Sequence, residues 1–162
     1  MAYTILNARV GFPPITDHDT VAKVALGNIV VANDPTYGAG EFIYLKGLDA
    51  TAVGTWVTYN LDDWSTALLA ANAIGPVAIA MAATVTGEYG WYQISGKARG
   101  LALASYADNG LVFGTSTAGS VDDTVVDGDM VHLAKGASTI TGAGLAEFEI
   151  SRPYTDDITT ND

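Results

Sequence analysis

Turn-forming residues punctuate this chain at six points, the last three about ten residues apart. They are Asn33-Asp34-Pro35, Gly38-Ala39-Gly40, Gly75-Pro76, Asp108-Asn109-Gly110, Ala118-Gly119-Ser120 and Asp127-Gly128-Asp129. Glycine and proline at such points end any long regular element, because one samples positive φ freely and the other lacks an amide proton. The runs between them are short and rich in Val, Thr, Ala and Tyr, which are strand residues. Short strands at this spacing predict an all-β domain, a β-barrel or β-sandwich. At 162 residues the chain suits one domain. A chain of that size buries roughly 68–70% of the surface its unfolded form exposes, so it needs neither a disulfide nor a metal to fold.

Three regions follow from the pattern. Residues 1–23 read as an extended N-terminal arm, since Pro13-Pro14 blocks helix and central strand. The arm carries Ile5, Leu6, Val10, Phe12 and Ile15, enough apolar surface to dock on its own domain or a neighbour. Residues 24–153 are the β domain, and 154–162 a polar tail. Within the domain, Ile29-Val30-Val31, EFIYLK (41–46), TWVTY (55–59), PVAIAM (76–81), WYQISGKARGLALAS (91–105), MVHLAK (130–135) and LAEFEISR (145–152) are the expected strands. In the last, Ala146, Phe148 and Ile150 should face the core and Glu147 and Glu149 water. Asn109-Gly110 predicts a hairpin. Asp62-Asp63 should cap one short helix through about Ala71. Removal of residues 1–20 should then weaken attachment to a partner and leave the domain folded.

Chemistry is constrained by what the chain lacks. With no cysteine, thiolate metal sites and Cys nucleophiles are excluded. Seven Lys+Arg against eighteen Asp+Glu give a net charge of −11. Phosphate backbones and anionic membranes should repel such a chain, so neither direct nucleic-acid binding nor membrane binding is expected. MAYTILNARVGFPP has no basic region leading into a long apolar run, so no signal peptide is read there. ALLAANAIGPVAIAMAATV (67–85) is interrupted by Asn72 and Gly75-Pro76, too early for a membrane span.

The stretch GEYGWYQISGKARGLAL (87–103) resembles the beginning of a phosphate-binding loop, but three requirements fail. Gly90 and Gly96 are separated by five residues, Ala98 stands where a hydroxyl should ligate magnesium, and WYQIS is stiff and β-prone. A strand whose glycines admit a neighbouring backbone or ring fits better. Asp122, Asp123, Asp127 and Asp129 are dense enough for calcium, but Val125-Val126 occupy positions where an EF-hand places ligands, so an acidic turn is the better reading. Asp17, His18 and Asp19 read the same way. His132 lies in a strand-like segment, as a packed rather than basic histidine. Glu147/Glu149 share an outward face and solubilise it, rather than forming a glycosidase pair. No catalytic, cofactor or metal residues are assigned. The many aromatics suit a core, a protein interface, or a sugar or peptide groove.

Six segments, DPTYGAGEFIYLKG (34–47), VGTWVTYN (53–60), GPVAIAMA (75–82), YGWYQISGKA (89–98), STAGSVDD (116–123) and GLAEFEI (144–150), together resemble small virion structural proteins of tailed bacteriophages, and capsid decoration (cement) proteins in particular. The resemblance spans roughly residues 24–153. It implies a β-barrel or sandwich on the exterior of a virion, bound to the major capsid protein, with a homo-oligomer, a trimer by preference, as the bound form, and no enzymatic activity. The alternatives are another phage head or tail component, or a carbohydrate- or ligand-binding β module. Phe12, Pro13 and Pro14 in the arm, and Trp91, Lys97 and Arg99 on one face of the long strand, are the expected interaction residues.

Overall fold

The computed structural model describes Thr4–Ile5 and residues 11–159. Among them twelve strands form one connected sheet: β1 (Thr4–Ile5), β2 (His18–Asp19), β3 (Ile29–Asp34), β4 (Gly38–Lys46), β5 (Trp56–Tyr59), β6 (Thr66–Leu68), β7 (Gly75–Ala80), β8 (Tyr89–Ala102), β9 (Phe113–Gly114), β10 (Val121–Asp122), β11 (His132–Gly136) and β12 (Gly144–Thr155). The main path runs β1-β3-β4-β8-β12-β7-β5-β6. Its two ends do not pair with each other among the described residues, so the sheet is open where a β-barrel or β-sandwich was expected. Pairing is antiparallel throughout, except where Val121 of β10 meets Ala102 at the end of β8.

β8 organises the molecule. Its first half pairs with β4, from Tyr89↔Lys46 to Ser95↔Glu41. Its second half pairs with β12, from Ser95↔Ser151 to Ala102↔Gly144. On the β12 side it also meets β7 at Gln93↔Ile79 and Tyr92↔Ala80. The change of partners falls at Gly96, whose φ is 101°. A Cβ there would lie 2.8 Å from the Ala39 carbonyl oxygen. Further along, a Cβ on Gly100 would lie 2.5 Å from Nε1 of Trp56. The Gly-x-x-x-Gly spacing of β8 thus admits a backbone at one point and an indole ring at the other, as the sequence predicts. The bend lets one strand serve three buried clusters. Trp91 joins Ile15, Val30, Phe42 and Tyr44; Tyr92 and Ile94 join Ile43, Leu45 and Val57; Ala98 and Ala102 join Trp56, Ile79, Tyr106 and Phe148.

Three expectations are corrected. No helix follows Asp62-Asp63. Asn60 Oδ1 accepts the amide of Asp62 at 2.9 Å, and Asp63 Oδ1 accepts the amide and hydroxyl of Ser65 at 3.0 and 2.7 Å. These side chains stabilise a tight turn instead of a helix start. Trp64 takes a left-handed conformation with φ 60°, and the chain returns as β6 against β5. Asn109-Gly110 does make a turn, with Asn109 at φ 59°, but its flanks do not pair as a hairpin. The Tyr106 hydroxyl holds it through the Gly110 and Leu111 carbonyls at 3.2 and 2.9 Å. The boundary at 153/154 also moves, since Tyr154 and Thr155 pair with Pro76 and Gly75. A bulge at Arg152, φ 50°, shifts the inward positions of β12 from Ala146, Phe148 and Ile150 to Pro153 and Thr155. No helix among the described residues is long and apolar enough to cross a membrane.

Candidate functional site

The structure brings three of the six expected interaction residues, Phe12, Pro13 and Trp91, into one latch. Trp91 Nε1 donates to the Pro13 carbonyl at 3.1 Å, and the Phe12 ring tilts against the indole at 6.0 Å between centroids. Tyr44 meets the same indole edge-on at 5.0 Å. Its hydroxyl donates to Asp19 at 2.9 Å, and Asp19 pairs with Lys23 at 2.7 Å. Burial, then the Asp19 bond, pushes the Tyr44 phenol well above its ordinary range. Trp91 is 1% exposed and Pro13 and Ile15 are buried, while Pro14 faces solvent. The segment from Gly11 to Asp19 is therefore part of the domain rather than a free arm. Trp91 anchors that segment and presents no surface to a partner. The part of the arm before Gly11, other than Thr4–Ile5, lies outside the described residues.

Lys97 and Arg99 emerge near each other beside Tyr37, with different roles. Lys97 Nζ lies 2.7 Å from Glu147 and 5.3 Å from the centre of the Tyr37 ring. The Tyr37 hydroxyl donates to the other oxygen of Glu147 at 2.9 Å. The bond from Lys97, then that from Tyr37, holds the Glu147 carboxyl below the usual glutamate range. Arg99 is exposed and has no carboxylate within salt-bridge distance among the described residues. It borders a small depression of about 200 Å³ with Val53, Met81 and Leu145. Of the two cations, only Arg99 keeps its charge available to a partner.

The remaining chemistry-bearing side chains support turns and strand pairs. Asp129 is buried and accepts the Asn72 amide. Asp123 accepts the Ala107 amide at 2.9 Å. Glu149 pairs with Lys135 at 3.3 Å across the β11–β12 ladder. His18 faces Glu88 at 3.6 Å, and His132 faces Asp156 at 3.4 Å while stacking on Tyr154. Among the described residues no group of three or more His, Asp or Glu is placed to hold a metal ion. The large aromatics divide clearly: Tyr44, Trp56, Trp91, Tyr92 and Tyr106 are all buried, which assigns them to packing rather than to a sugar groove.

A further surface feature is assembled from segments far apart in the sequence. Residues 129–131 run beside 112–114 through Gly114 N to Asp129 O and Val131 N to Val112 O, both 2.8 Å, with a bridge between Phe113 and Met130. Asp129 N closes a turn onto Val126 O at 3.2 Å, which lifts Val125 and Val126 to one rim. His132 and Asp156 bring the end of β12 alongside, and Asp156 folds Ile158 back by accepting its amide at 3.3 Å. The result is a groove of about 410 Å³ with Phe113 and Met130 among its lining. Val125 is 73% exposed, Ile158 67%, Leu111 47% and Val126 41%. The one sequence signal was the Val125-Val126 pair within an acidic turn, where apolar side chains have no local reason to be. Comparison with protein-family models, with curated proteins and with solved structures finds no match.

Proposed function

We propose that this chain is a virion structural protein that binds the exterior of a tailed-bacteriophage capsid and stabilises it, a decoration or cement protein without catalytic activity. The observation that carries the reading is where the six family-like segments fall. Three of them contain β4, β5 and β7, and two cover the first parts of β8 and β12; these five strands are consecutive in the sheet order although scattered in the sequence. The sixth contains β10, which pairs with β8. The likeness therefore covers a contiguous scaffold, the part that a shared fold would preserve. A sandwich-like body attached to the major capsid protein, as a trimer by preference, is the corresponding form. Binding to the assembled shell stabilises that shell by mass action.

The test is co-sedimentation of the purified chain with expanded capsids, followed by cryo-electron microscopy of decorated particles. The expected result is saturable binding with ordered density on the shell. In purified virions, density confined to the tail favours the head-or-tail-component alternative, and no association with capsids overturns the decoration reading.

A further inference from the structure

We propose that the groove between the 123–128 turn and the end of β12 receives an apolar segment of a partner protein flanked by lysine or arginine. This deepens the reading of the chain as a protein-binding structural component and rests on it. Four large apolar side chains, Leu111, Val125, Val126 and Ile158, stand substantially exposed around this one concavity. Apolar surface gathered this way is what a protein interface buries, whereas singly scattered apolar residues need no partner. The volume suits a few side chains rather than a folded domain.

Charge selects the occupant. The lining includes the carboxylates of Asp127 and Asp156 and, among the described residues, no lysine or arginine. The one basic side chain of the lining among the described residues, His132, is already directed at Asp156. A second copy of this chain, docked groove to groove, would set these carboxylates against their counterparts, on molecules that each carry a net charge of −11. Like charges at an interface disfavour that pairing. An apolar segment with basic flanks satisfies both features: its side chains fill the groove, and its cations meet the acidic rim.

The test uses the full chain and two synthetic peptides, a Leu-Phe-Ile core with lysine pairs at both ends and the same core with glutamate pairs. The lysine peptide should bind at least tenfold more tightly, and its binding should weaken as ionic strength rises. Val126→Asp and Ile158→Asp alter exposed positions, so circular dichroism should show an intact fold while lysine-peptide affinity falls at least tenfold. Val125→Ser is a milder variant, should either aspartate disturb folding. Equal binding of both peptides, binding of neither, or unchanged affinity in the folded variants overturns the proposal. Self-association of the unmodified chain abolished by Val126→Asp overturns it too, by making a second copy the occupant. The peptide titration involves no capsid, so its failure is separate from failure of the co-sedimentation that tests the virion reading.

Discussion

Lys97 shows how a residue that is obvious in sequence takes its role from partners that are not. Two cations at 97 and 99 of an acidic chain invite reading as a paired docking site. Strand periodicity does place them on one side, beside Tyr37. The distant partner is Glu147, fixed opposite Arg99 in the β8–β12 register, and it takes Lys97 out of the pair. The glycines at 96 and 100 were legible because their constraint is local: a strand tolerates a missing Cβ where something else must occupy its space. The Glu147 partnership has a pH signature. A carboxyl whose folded-state pKa is depressed contributes stability that is present above its unfolded value, about 4.3 for glutamate, and is lost as pH falls through the lower folded value. Glu147→Gln should therefore lower the denaturant midpoint most near pH 7. The gap to the unmodified chain should narrow steadily below pH 4.5 in urea titrations. A gap independent of pH would mean that Glu147 acts through packing alone.

At the scale of elements, strands were easier to read than their connections. Alternation over LAEFEISR places Ala146, Phe148 and Ile150 inward, and the structure agrees because β12 has water on one face and a core on the other. The segment after Asp62-Asp63 was misread because carboxylates can serve a helix start or an Asx turn equally well. The choice was made by β5, which needed an antiparallel neighbour. Of the two docking places open to the arm, its own domain or a neighbour, the residues from Gly11 to Asp19 take the first. Pro13-Pro14 does exclude regular structure, but an irregular segment can still contribute to a core. Ile15 is buried as deeply as Trp91 and Phe42, and the Pro13 carbonyl is the partner of the Trp91 indole. Ile15→Ala should accordingly destabilise the domain by about 2–5 kcal/mol, the usual range for removing a large buried aliphatic side chain. The measurement is the equilibrium denaturation midpoint. A change within experimental error would restore the picture of a separable arm.

At the scale of the whole molecule, composition and charge were legible, and the assembly of the groove was not. The groove draws Leu111 and Phe113, the 125–130 turn and the 156–158 segment from three places along the chain. The backbone bonds of 112–114 to 129–131, the bridge of Phe113 to Met130 and the approach of Asp156 to His132 bring them together. No periodicity records such a meeting. The same non-local wiring bears on how the molecule unfolds. One strand, β8, supplies residues to all three buried clusters, so none can lose its packing while the others keep theirs intact. Cooperative, two-state unfolding is the expectation for a domain coupled in this way. Phe148 is the sharpest probe, because it is fully buried between Trp56, edge-on at 4.9 Å, and Tyr106 at 5.2 Å. Phe148→Ala should cost about 3–5 kcal/mol. That loss should appear as one shifted transition, with tryptophan fluorescence and far-ultraviolet circular dichroism coincident. Trp91, in a different cluster, would then report the loss at Phe148. Two separated transitions would instead mean that the bend at Gly96 divides the sheet into independently stable halves.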